Sequence, residues 1–188
     1  MRKSKLFVFI SLISIGFGNY SCSNIPISID EPRTSIQSPQ NVDKKYVESF
    51  DPTYKVGMKY TYSVSSSNSI NEAPEISSTE ILEVNGDLIK VRLISSTRGS
   101  QEKTGKIAEF DSGLPENGII SEGAEDVTVP AGQYNGAVKI SCFVSTGPEG
   151  SPKTKSTIWL VKDIGAVKRV DILPDASILT TELKEFKS

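Results

Sequence analysis

The sequence predicts a mainly β fold: a strongly curved antiparallel sheet, half-barrel or sandwich-like, with little helix. Three observations carry that expectation. Apolar and polar residues alternate with a period of two in one segment after another. Gly and Pro, 14 and 10 of them in 188 residues, punctuate the chain at short intervals. No apolar stripe at helical spacing runs far enough to make a long amphipathic helix. Many strands with short connections must cover each apolar face and manage each edge, and curvature or a second layer achieves both.

The first residues stand apart from the fold. Arg2, Lys3 and Lys5 precede an apolar run from Leu6 to Ile15, and small or polar residues follow it through Ser21. This is the layout of a signal peptide over 1–21, with an apolar run too short to cross a hydrocarbon core about 30 Å thick. Its removal takes away three positive charges and no negative ones, moving the net charge from -2 to -5. Asn19-Tyr20-Ser21-Cys22 resembles the lipobox at which bacterial lipoproteins are processed and acylated. Ser21 is suitably small, Asn19 stands where that pattern usually has Leu, and Tyr20 is bulky. Cys22 is the expected lipidation site, so the expected partner is a membrane, reached through its lipid anchor. The alternative is cleavage beside the small-x-small segment Gly16-Phe17-Gly18, which leaves Cys22 able to pair with Cys142. Both routes lead to the cell envelope: a membrane-anchored lipoprotein, periplasmic or at the cell surface, or a soluble periplasmic or secreted protein.

From Ser23 to about Gln40, Pro26, Pro32 and Pro39 interrupt any helix or central strand, so 22–49 reads as a tether. Ser38-Pro39 suits an N-cap and first helical position for a short helix over Asn41–Val47. The β domain is expected over 50–188. Tyr60, Tyr62 and Val64 alternate with Thr61, Ser63 and Ser65 in its first strand. Ile76–Val84 and Leu88–Ile94 flank Asn85-Gly86, a pair suited to the positive φ angles of a two-residue hairpin turn. Val138, Ile140, Cys142 and Val144 share one face of a later strand, with Lys139, Ser141 and Phe143 on the other. Gly147-Pro148-Glu149-Gly150 breaks it, and a return strand follows from about Lys153 to Val161. Ala166–Ile172 and Ile178–Phe186 complete the set, joined by Gly165 and Pro174-Asp175.

The chemistry the residues exclude is more definite than the chemistry they offer. With no His among 188 residues, the commonest general base and metal ligand are missing. There is no Gly-x-Ser-x-Gly elbow, phosphate loop, Cys-x-x-Cys or calcium loop, so no cofactor, metal or catalytic residue is expected. Glu125 and Asp126 are adjacent, point to opposite faces of a strand, and read as solvated carboxylates. Lys153, Lys155, Lys162, Lys168 and Arg169 lack interleaved aromatic residues and read as the solvent face of a sheet. With 21 basic against 23 acidic side chains, no nucleic-acid partner is expected. Trp159 and the tyrosines read as core or rim packing.

Two stretches carry a resemblance. They are Val127-Thr128-Val129-Pro130-Ala131-Gly132-Gln133-Tyr134 with Val138-Lys139-Ile140, and Ile158-Trp159-Leu160-Val161-Lys162-Asp163-Ile164-Gly165-Ala166-Val167-Lys168. Together with Tyr54–Tyr62 and Glu182–Phe186 they resemble the TapB-like family of exported bacterial proteins of unknown function over about residues 52–187. That family is similar to the lipoprotein-carrier half-barrels, so the resemblance implies a half-barrel. The carriers close their concave face with a helical lid, and this sequence shows no segment able to make one. In the residues themselves, Pro130 with Gly132 and Ile164 with Gly165 specify chain reversals between paired strands. The expected protein is non-enzymatic, with a concave sheet that takes a hydrophobic or peptide ligand. The alternative is a structural or surface module that binds other proteins and has no pocket. A cavity of several hundred Å³ lined by Val, Ile and Tyr favours the first, and a close-packed interior the second.

Overall fold

A computed structural model describes residues 39–69, 72–107, 114–115, 117–144 and 152–188. Cys22, Gly147 and Gly150 lie outside the described residues. The chain forms one ten-stranded antiparallel sheet, curled without closing, as a half-barrel is. In chain order the elements are β1 (Gln40–Val42), α1 (Lys44–Glu48), β2 (Lys59–Ser66), β3 (Glu75–Asn85), β4 (Leu88–Ser95), β5 (Gly99–Lys106), β6 (Ile119–Val129), β7 (Gly132–Val144), β8 (Thr154–Val161), β9 (Gly165–Ile172) and β10 (Ile178–Lys187). Their spatial order is β1-β6-β7-β8-β9-β10-β2-β3-β4-β5. Two meanders, β2–β5 and β6–β10, are thus joined side by side through β10 and β2, in register from Leu179 with Ser66 to Lys187 with Lys59.

The expected strands are present, and the differences have local causes. The hairpin turn falls one residue later than Asn85-Gly86: Asn85 pairs with Leu88, leaving Gly86-Asp87 as the loop. Gly86 has φ +62 and Asn85 is not in the positive region, so glycine takes the first central position. The short helix also starts later, at Lys44 rather than Asn41, because Asp43 is its N-cap and accepts from the Tyr46 amide at 2.9 Å. Gln40–Val42 instead make a strand on β6. β5, Gly-Ser-Gln-Glu-Lys-Thr-Gly-Lys, carries no apolar residue and so gives no periodic signal, yet it pairs with β4 without a bulge.

Two clusters of buried side chains fill the curl. Met58, Tyr60, Ile81, Ile89, Val91, Val127, Val129, Val167 and Leu183 belong to one, and Val47, Leu114, Ile119, Ile140, Cys142, Ile158 and Leu160 to the other. Val47 of α1 is only 5% exposed. Thus α1 docks its single turn of apolar surface on the face of β6–β8 that Ile140, Cys142 and Ile158 share.

Candidate functional site

The inner face of the sheet keeps a gap between these two clusters. A cavity of about 230 Å³ is walled by Tyr60 and Tyr62 of β2, Ile81 of β3, Ile89 and Val91 of β4, and Ile158 and Leu160 of β8. Strand alternation places them there. Tyr60 stands opposite Thr79, and Ile81 opposite Val91, so their side chains leave the sheet on the same side. The Tyr60 ring is held between Tyr62, stacked at 6.5 Å, and Phe186 at 4.9 Å. Tyr62 donates its hydroxyl to the Ala166 carbonyl at 3.0 Å. The Tyr60 hydroxyl is buried with no hydrogen-bond partner. Burial raises the pKa of both phenols far above the ordinary value, with Tyr54 adding to it, so both stay protonated donors at neutral pH.

A segment of the chain covers part of the cavity. After α1 the backbone runs on through Phe50 to Tyr54 without regular structure, and Asp51, Pro52 and Tyr54 line the cavity from its open side. The same three residues line a larger groove of about 570 Å³ that reaches Val84, Gly86, Asp87, Lys106 and Ile107 at the rim. The strap Phe50–Tyr54 is therefore a partition between an inner apolar cavity and an outer groove. It is held by Lys162, which donates to the Ser49 carbonyl, by the buried Pro52, and by the edge-to-face pair Tyr46–Phe50 at 5.5 Å. The sequence has no segment for a helical lid, and the part cover present is instead one helical turn and an extended strap, which carry no helical periodicity to read.

At one end of the inner face sits a polar cluster. Ser156 and Asp171 are cross-strand partners, and the Ser156 hydroxyl donates to Asp171 at 2.5 Å. Arg169 donates through Nε to both Asp171 oxygens at 2.9 Å and through Nη2 to Ser156 at 3.1 Å. Arg169, read from the sequence as solvent-facing together with Lys168, is corrected to the inner face. Adjacent strand residues point to opposite sides, so Lys168 and Arg169 do not share one. Cys142, the cross-strand partner of Ser156, is a buried free thiol whose pKa burial pushes up, with Arg169 opposing.

The outer face is a ladder of charge around one indole. Lys139, Trp159, Lys168 and Glu182 are successive cross-strand partners from β7 to β10. The ammonium groups of Lys139 and Lys168 lie 5.4 and 5.8 Å from the Trp159 ring centroid. Glu125 accepts from the Trp159 indole at 2.6 Å, and Lys168 pairs with Glu182 at 2.8 Å. Asp126, by contrast, accepts from the Gly136 amide at 2.9 Å. Glu125 and Asp126 thus serve separate structural bonds, and Trp159 is half-buried and packs against the first cluster.

No family model matches the chain, and a comparison with curated proteins found no match. Among solved structures, the chain is similar to a protein inferred to be exported, with a YmcC-like fold, from Bacteroides fragilis: TM-score 0.50, 11% identity, 74% of this chain and 99% of that one. It is also similar to an inferred lipoprotein from Parabacteroides distasonis, with TM-score 0.49, 12% identity, 73% of this chain and 98% of that one. The Pseudomonas aeruginosa MucA/MucB complex matches at TM-score 0.39 and 12% identity over 70% of this chain and 51% of that one. At 11% identity the likeness to the Bacteroides fragilis protein is one of fold alone.

Proposed function

We propose that this is a non-enzymatic protein of the cell envelope, held to a membrane by acyl chains on Cys22, whose curled sheet binds a hydrophobic ligand on its inner face. The cavity carries this reading. Two well-packed clusters that leave 230 Å³ of Tyr-, Ile- and Val-walled space between them are unlike the close-packed interior of a purely structural module. The strap supports it, because its displacement would expose the apolar gap to a ligand without unpairing any strand of the sheet. The signal layout at 1–21 and the lipobox-like Asn19–Cys22 support the location.

Native mass spectrometry of protein extracted from its own membrane tests both parts. Acyl mass on a chain beginning at Cys22, lost with release of the protein in Cys22→Ser, is the expected result. A chain beginning near Asn19 without lipid mass would instead mean ordinary secretion. A retained small molecule that Val91→Phe, by filling the cavity, excludes supports the ligand reading. A wild-type protein that carries no ligand and takes up no hydrophobic probe would leave the protein-interaction module in its place.

A further inference from the structure

We infer that the Tyr60 hydroxyl anchors the ligand of the inner cavity by donating to an uncharged carbonyl, that of an ester or amide, on an otherwise apolar molecule. This rests on the ligand-binding reading above and specifies the ligand's chemical class. Among the described residues, Tyr60 Oη is the one buried side-chain polar atom without a hydrogen-bond partner, in a residue only 7% exposed. Such atoms are rare in folded proteins because an unpaired buried hydroxyl forfeits its bonds to water. Tyr60 belongs to the first buried cluster and also lines the cavity, so a partner that reaches past the edge of its ring has somewhere to sit. Phe186 and Tyr62 flank the ring and restrict where the hydroxyl points. Tyr62 is not an equivalent donor, since its hydroxyl already bonds the Ala166 carbonyl.

The charge of the lining selects among acceptors. No Lys or Arg lines the cavity, and Asp51 does. A free carboxylate would enter a low-dielectric site with no counter-charge and a carboxylate at the mouth, whereas a neutral carbonyl meets neither penalty. The volume limits the buried part: 230 Å³ at about 30 Å³ per water-sized group holds roughly seven or eight non-hydrogen atoms. A short acyl ester or amide, or the corresponding end of a longer molecule lying under the strap into the outer groove, fits these terms.

Titration of the full mature chain with methyl hexanoate, octane and hexanoate tests the inference. Wild type is expected to bind the ester about tenfold tighter than octane and tighter still than hexanoate. Tyr60→Phe is expected to bring the ester down to the affinity of octane while leaving octane unchanged and melting at or above the wild-type temperature. Equal binding of ester and octane by wild type, or an ester affinity untouched by Tyr60→Phe, overturns the anchor while the cavity reading stands. Tighter binding of hexanoate than of the ester overturns the choice of a neutral carbonyl. A lowered melting temperature for Tyr60→Phe shows the hydroxyl already satisfied in the free protein and overturns the anchor. Binding of none of the three probes overturns the ligand reading itself.

Discussion

Gly165 begins β9 with φ +85, and a Cβ placed there would lie 3.5 Å from Asp51 Oδ1 of the strap. Gly132 begins β7 with φ +142. A β-branched side chain is sterically disfavoured at both, so Gly165→Val and Gly132→Val should each lower stability by about 1–3 kcal/mol in thermal melts. Gly86, at φ +62 in the first central position of a two-residue turn whose second residue is not in the positive region, has open space around it but a backbone that favours glycine, so Gly86→Asn should also lower the melt. These turn glycines were legible as Val-Pro-Ala-Gly and Ile-Gly, because the residue type and the backbone requirement coincide. The unpaired Tyr60 hydroxyl was not legible. Alternation predicts that Tyr60 turns inward, but whether its oxygen meets a partner depends on residues from other strands. The buried acids also set a pH response. Burial raises the pKa of Cys142, Tyr60 and Tyr62, so the folded protein holds these protons more tightly than the unfolded chain. Their contribution to stability is complete below the unfolded values, about 8.5 for the thiol and about 10 for the phenols, and is lost as pH rises beyond them. Urea titrations at pH 7 and pH 10.5 should show lower stability at the higher pH, with a smaller drop for Tyr60→Phe and Cys142→Ala.

The strap is the element whose loss should be felt least by the sheet and most by the cavity. Lys162 reaches it from the β8–β9 turn to bond the Ser49 carbonyl. Lys162→Ala should therefore speed amide exchange across Lys44–Tyr54 several-fold while leaving exchange in β7 and β8 and the melting temperature nearly unchanged. Uniform acceleration everywhere would mean that the strap and sheet open together. A segment that lies on a sheet without pairing has no period, and Asp51-Pro52-Thr53 reads as linker for that reason. Edge strands evade sequence reading in a related way. β5 is polar on both faces and pairs only with β4, so nothing in its composition separates it from a loop. Its neighbours reveal it: Arg92 of β4 bridges Glu80 of β3 at 3.2 Å and Glu102 of β5 at 3.0 Å across the three strands.

For the molecule as a whole, the folded unit extends from β1 to β10, and α1 contributes to its core. A chain beginning at Gln40 should melt like the mature protein. One beginning at Phe50 loses β1 and the buried Val47, uncovers Ile119 and Ile140, and should lose at least about 2 kcal/mol, from the burial of one aliphatic side chain alone. The mainly β class and the curl were legible because they follow from local pattern and from the need to cover apolar faces. The strand order was not, since joining two meanders through their first and last strands satisfies the same local pattern as several other orders. That order has a kinetic consequence. β2 emerges early in synthesis and can pair with β3, but finds its second partner only when β10 has been made, so the seam at the middle of the sheet is the longest loop the chain must close. Until Ile178–Lys187 are available the two half-sheets lack a common core, and folding of such high contact order is slow. A chain with this topology completes its native sheet only once its last strand, Ile178–Lys187, has been made.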